Sequence, residues 1–148
     1  MTRTHNARMP QVRRADVSDA PIAVEDVRAL AADESAGAVV TFSGDVRDHD
    51  HGRSVARLEY EGHPTAAAVI SLVAHEVASR HDVIAIAVSH RIGPLQIGDS
   101  ALVAAVSAAH RGEAFRACAD LIDEVKNRLP VWKHQVFTDG TDEWVNCA

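Results

Sequence analysis

Pro130 divides the C-terminal third of this chain into two kinds of structure. Its ring fixes φ and keeps the residue before it out of the helical region, so a helix arriving from the N-terminal side stops by about Leu129. Upstream, Phe115, Cys118, Ile122, Val125 and Leu129 recur at intervals of three and four, one apolar stripe of a helix that starts near Gly112. Downstream, Trp132–Phe137 and Glu143–Cys147 read as a hairpin closed by Thr138–Asp142. Two lysines bracket the joint, Lys126 on the helix and Lys133 on the strand. At roughly 100° per residue, Lys126 projects about 60° from the centre of that stripe, at the margin of the buried face. Its ammonium is therefore expected in a partly desolvated cleft. The plainer reading is a lysine snorkelling from a core helix and a second lysine on a surface strand.

The chain has 148 residues, the length of one domain. Residues 1–10 read as a flexible N-terminal arm and 11–148 as a single domain. Gln11–Val17 suits a short edge strand, and Ser18, Asp19 and Pro21 read as a helix start ahead of Val24, Val27, Leu30 and Ala31. Gly37–Val46 alternates apolar and mixed positions, a strand with one face well buried, and Arg47 continues its more polar face. Asp48–Arg53 is too polar for a core and reads as a loop before the returning strand Ser54–Glu61, which carries Leu58 and Tyr60. His63-Pro64 opens a second helix, with Ala66, Val69, Ile70, Val73 and Val77 inward. Val83–Ser89 and Ser100–Ala108 are two further strands, joined by a loop over Arg91–Asp99. Helices and strands do not alternate strictly. The expected class is α+β: a mixed, largely antiparallel sheet packed with about three helices in a single compact domain.

A formal net charge of −6 argues against a nucleic-acid coat, since a protein that tracks a phosphate backbone is normally basic. Two cysteines, Cys118 and Cys147, make neither a zinc spacing nor a disulfide framework, which fits a reducing cytoplasm. No stretch has the length and apolarity of a membrane span, and the N-terminal residues lack the apolar region of an export signal. Gly93 and Gly98 are not followed by Lys-Ser/Thr, so they make no phosphate-binding loop. Asp48-His-Asp-His51 has ligand chemistry, but four consecutive loop residues seldom converge on one ion; a solvated turn is expected, with no metal and no cofactor. Two cationic features remain besides the lysines. One is Arg47, at the end of the first long strand. The other is His110-Arg111, at a helix N-terminus, whose free N–H groups favour an anion. Read singly, each is a surface charge. Together they put five positively chargeable groups in an acidic protein.

The runs Gly37–Arg47, Leu58–Pro64, His90–Gly93 with Ile97–Asp99, Ser107–Arg111 with Ala114-Phe115, and Lys126-x-Arg-x-Pro-x-Trp-Lys133 with Trp144-Val145 closely resemble the MoaE family, the large catalytic subunit of molybdopterin synthase. The resemblance spans residues 37 to 145 in one collinear order, while residues 1–36 match none of its motifs. It implies a sulfurtransferase of molybdenum cofactor biosynthesis that converts cyclic pyranopterin monophosphate to molybdopterin. Sulfur would arrive as a thiocarboxylate on the C-terminal Gly-Gly of a small ubiquitin-like (MoaD-like) subunit. The implied assembly is a homodimer of large subunits with a small subunit at each outer end, a heterotetramer.

Carried over motif by motif, the family's catalytic lysines fall on Lys126 and Lys133, and its substrate-binding residues on Arg47, His110 and Arg111, with Phe42 nearby. The residue types suit the chemistry. Arginines and a protonated histidine hold a phosphate through charge-assisted donors. Sulfur transfer from an acyl carrier passes through oxyanions and needs proton shuttling, roles for a cation and for a general acid or base. Lys126 is assigned to proton transfer or acyl contact and Lys133 to charge. The alternative reading is a non-catalytic binding module for a phosphorylated metabolite, in which both lysines serve as counter-charges.

Overall fold

The structure, a computed structural model, describes residues 9–146. The first eight residues of the expected arm, and Cys147 of the expected last strand, lie outside the described residues. Among the described residues three helices and two sheets form, so the α+β class and the mixed, largely antiparallel pairing are as the sequence implies, although the strands divide between two sheets instead of one. The first sheet has the order β1 (Gln11–Ser18), β5 (Ala85–Arg91), β7 (Ser100–Ala108), β2 (Ala38–Asp45). Its β1–β5 pair is parallel and the others antiparallel. The second sheet is built on β4 (Arg53–Gly62), which pairs with β3 (His49–Asp50), β6 (Gly93–Leu95) and β8 (Val131–Phe137), while β9 (Asp142–Asn146) pairs with β8.

Alternation along β5 and β7 explains why both read as nearly continuous apolar runs. Ile86, Val88, Leu102, Ala104 and Val106 join one core with α2 (Ala66–Arg80) and α3 (Arg111–Arg128). Ala87, Val103 and Ala105 face the other way and pack with Val27 and Ala31 of α1 (Val24–Ala31). The first sheet is thus covered on both faces. A third small cluster, Val46, Leu58, Leu95 and Ala101, lies where the two sheets meet, with Tyr60 packed against it.

Three local expectations are corrected. Asp48–Arg53 is a small hairpin instead of an open loop: His49 pairs with Ser54 and Asp50 with Arg53 across His51 and Gly52. Both turn residues have positive φ, the twist that a two-residue hairpin requires. The loop expected over Arg91–Asp99 contains β6, which binds β4 through Leu58–Leu95 and Tyr60–Gly93. The first helix begins at Val24, not at Ser18-Pro21, because Ser18 still belongs to β1 and Ile22 is drawn into the core ahead of the first turn. Among the described residues no helix is long and apolar enough to cross a membrane.

Candidate active site

α3 ends where Pro130 requires, with Arg128 its last residue and Leu129 its C-cap. Its buried face is rotated from the expected one. Ala114, Ala117, Cys118, Leu121, Ile122 and Val125 face inward, whereas Phe115 is 59% exposed. The helix packs on α2 as well as on the sheet, and small alanines permit that approach where a phenyl ring would not. The stripe's centre moves toward Ala117 and Leu121, which leaves Lys126 about 110° from it at roughly 100° per residue. Lys126 is accordingly exposed, and not at the margin of the core.

Even so, Lys126 lines a pocket of about 170 Å³ together with Lys133 and Arg47, three of the five cationic residues singled out in the sequence. Four elements bring them together. Arg47 follows β2, and its Nη2 donates to Asp50 Oδ1 at 3.4 Å. Lys133 projects from β8 directly opposite Tyr60 of β4, and Gln135, two residues on, stands opposite Leu58 on the same face. His134 points the other way and stacks on Trp144, with ring centroids 4.4 Å apart.

Two aromatic residues that the sequence placed in motifs, without a role, complete the pocket. His90, at the end of β5, is 1% exposed, and its Nδ1 lies 2.7 Å from the Arg91 carbonyl oxygen. A carbonyl only accepts, so Nδ1 carries the proton and Nε2 is left with the lone pair. Burial first, and the Lys126 ammonium after it, depress this imidazole to about 4 against the raising effect of its bond to the backbone. His90 is therefore neutral across the physiological range. Tyr60 meets it edge to face, with centroids 4.9 Å apart and planes at 87°. The signal for Tyr60 was strand parity: it shares a face with Leu58, and its cross-strand partner is a lysine. That pairing exists only once β4 and β8 are in register.

On the opposite wall, the Gln135 amide donates to Asp50 Oδ2 at 2.7 Å and to Glu143 Oε1 at 3.0 Å. The bond from Gln135, with the charges of Lys133, His51 and Arg47, holds the Asp50 carboxyl below its usual range despite the opposing effect of burial. Asp50 thus stays ionised among the cations.

His110 and Arg111 are not in this pocket. His110 is the N-cap of α3 and Arg111 its first residue, both exposed, at the other end of the helix from Lys126. Phe42 is half-buried and lies beside the pocket rather than in it. Its ring sits against Gly44, where a Cβ would meet it at 3.1 Å, and it borders a shallow apolar groove with Phe115, Cys118 and Ile122.

The whole arrangement has known counterparts. The profile of the family "MoaE protein" matches residues 17–128. Over 132 residues the chain is 38% identical to the molybdopterin synthase catalytic subunit of Nostoc sp., covering 88% of this chain and 80% of that one. It is 41% identical over 123 residues to the molybdopterin synthase catalytic subunit of Pyrococcus abyssi, covering 82% of each. Among solved structures, molybdopterin synthase from Staphylococcus aureus superposes with a TM-score of 0.82 at 35% identity, over 89% of this chain and 96% of that one. A pocket of Arg47, Lys126 and Lys133 on this fold, with that degree of identity over most of its length, makes the chain a member of the MoaE family.

Proposed function

We propose that this protein is the catalytic subunit of a molybdopterin synthase, which moves sulfur from the C-terminal thiocarboxylate of a small ubiquitin-like partner onto cyclic pyranopterin monophosphate. The observation that carries this reading is the convergence of Arg47, Lys126 and Lys133 on one pocket, in a family whose named relatives are molybdopterin synthase catalytic subunits. Arg47 offers paired N–H donors to a phosphate at the rim. The two ammonium groups face the position of an acyl oxygen, where negative charge develops as sulfur leaves its carrier. Lys126 serves proton transfer and Lys133 charge. Asp50 and Gln135 hold that wall in place, and neutral His90 adds no fourth positive charge.

His110 and Arg111 act in the pocket of a second copy. β2 is an edge strand of the first sheet. At one end, its Ala38 pairs with Ala108, beside His110; at the other, its Asp45 leads into Arg47. Two copies laid edge to edge about a two-fold axis, β2 antiparallel to β2, bring the His110-Arg111 end of each to the Arg47 end of the other. The substrate's anionic groups then meet both halves of the cation set. A free, buried Cys118 fits work in a reducing compartment, the cytoplasm.

The test is to incubate the protein with the thiocarboxylated small partner and the cyclic pterin and follow formation of the dithiolene. Conversion that disappears when the partner's terminal Gly-Gly is deleted supports the reading. Tight binding of the pterin with no conversion returns the protein to the binding-module reading.

A further inference from the structure

Resting on the function proposed above, we propose that Tyr60 is a further catalytic residue, whose hydroxyl donates a hydrogen bond to the oxyanion formed at the partner's acyl carbon. Tyr60 is the chain's one tyrosine, and it occupies the position where the pocket's elements converge. It lines the pocket with both lysines, stands opposite Lys133 across the β4–β8 ladder, and has its ring edge-on to His90, the residue whose protonation the Lys126 charge opposes.

The ring is half-buried against two core clusters, which fix its position at the pocket. What tyrosine adds is one O–H at the end of an immobilised ring, in a pocket walled by cations. Positive charge on either side polarises that O–H toward an acceptor. A neutral His90 holds the ring without competing for the oxyanion as a second acid.

The step is the release of sulfur from its carrier. Once the thiocarboxylate sulfur has bonded to the pterin, water adds to the acyl carbon and the carbonyl becomes an alkoxide. Tyr60 donates to that alkoxide, and the lysines supply the charge. Collapse breaks the carbon–sulfur bond, the electron pair leaves with sulfur on the pterin, and the water oxygen remains in the partner's carboxylate. The water's two protons pass to solvent through the pocket. Tyr60 keeps its proton throughout, and nothing is oxidised or reduced.

Single-turnover conversion by Tyr60→Phe, with thiocarboxylated partner in excess, tests the assignment. The expected result is a loss on the order of 10²-fold or more in rate, the effect of removing one oxyanion donor, with pterin affinity and thermal melting unchanged. A wild-type rate in the variant overturns the role of Tyr60; absence of conversion by the wild-type protein overturns instead the function on which it rests. Replacing every tyrosine by fluorotyrosines alters only this residue and preserves its shape, so it decides the matter even where the phenylalanine variant fails to fold. The alkaline limb of the pH–rate profile should move to lower pH along the fluorinated series as the phenol becomes more acidic. A limb that does not move overturns the proposal.

Discussion

His110 and Lys126 belong to one helix and stand at its opposite ends, the first as N-cap of α3 and the second in its last turn. Sixteen residues at 1.5 Å each separate them by about 24 Å, several times the width of a phosphate group. One anion cannot bridge that distance, so residues that serve one substrate from these two positions come from two chains. Light scattering should then give about twice the 15.9 kDa chain mass. Mixing inactive Lys126→Ala and Arg111→Ala proteins under subunit exchange should restore about a quarter of the wild-type sites, because half of the randomly formed dimers have one intact pocket. No recovery on mixing would overturn the shared pocket, and full activity of Arg111→Ala alone would place that residue outside catalysis.

The lysines are separable by charge and acidity. Lys126→Arg keeps the positive charge but cannot release a proton near neutral pH, so single-turnover conversion should fall by about 10²-fold or more. Lys133→Arg should retain a measurable part of the rate. Both side chains keep their apolar stems at the protein surface or the pocket wall, and melting temperatures should stay within a few degrees of wild type. Near-wild-type turnover by Lys126→Arg would reduce that residue to a counter-charge.

Acid stability should report the buried imidazole. The folded protein holds His90 at about 4, below the ordinary histidine value of 6.5, so on acidification the unfolded chain takes up this proton first. The stabilisation is complete above pH 6.5 and is lost as pH falls toward 4, at most about 3 kcal/mol for a shift of this size. Urea denaturation at pH 7, 5 and 4 should show wild type losing stability relative to His90→Gln by that order. Parallel curves for the two proteins would mean that His90 binds its proton as readily in the folded protein as in the unfolded chain.

Gly37 should tolerate no side chain. A Cβ there would lie 2.3 Å from the Ala109 carbonyl oxygen, a backbone atom at the turn into His110. Accommodating it requires β2 or that turn to shift, which costs about 1–3 kcal/mol by analogy with overpacked cores. Gly37→Ala should therefore melt several degrees below wild type. If the dimer is built as proposed, it should also lose pterin affinity, since the displaced turn carries the anion-binding pair.

Pro130 ended α3 from the sequence alone, alternation along Gly37–Val46 named a strand, and the turn residues Thr138–Asp142 placed a strand before them at Trp132–Phe137, because these signals act between residues a few positions apart. Arg47, Lys126 and Lys133 were legible for a related reason: a cation beside an apolar stripe, or at the end of a buried strand, is conspicuous in an acidic chain. Periodicity does not say what packs on a face. The rotation of α3 that exposes Phe115 and swings Lys126 outward follows from its contact with α2, far away in sequence. Whether His110 and Arg111 share a pocket with the lysines depends on helix length in space, and motif order along the chain contains no such distance. Tyr60 and His90 looked like ordinary members of two strands until register set one opposite Lys133 and the meeting of the sheets set the other beneath Lys126. Secondary structure was decided by near neighbours; the depressed basicity of His90 was decided by burial, which only the assembled core creates.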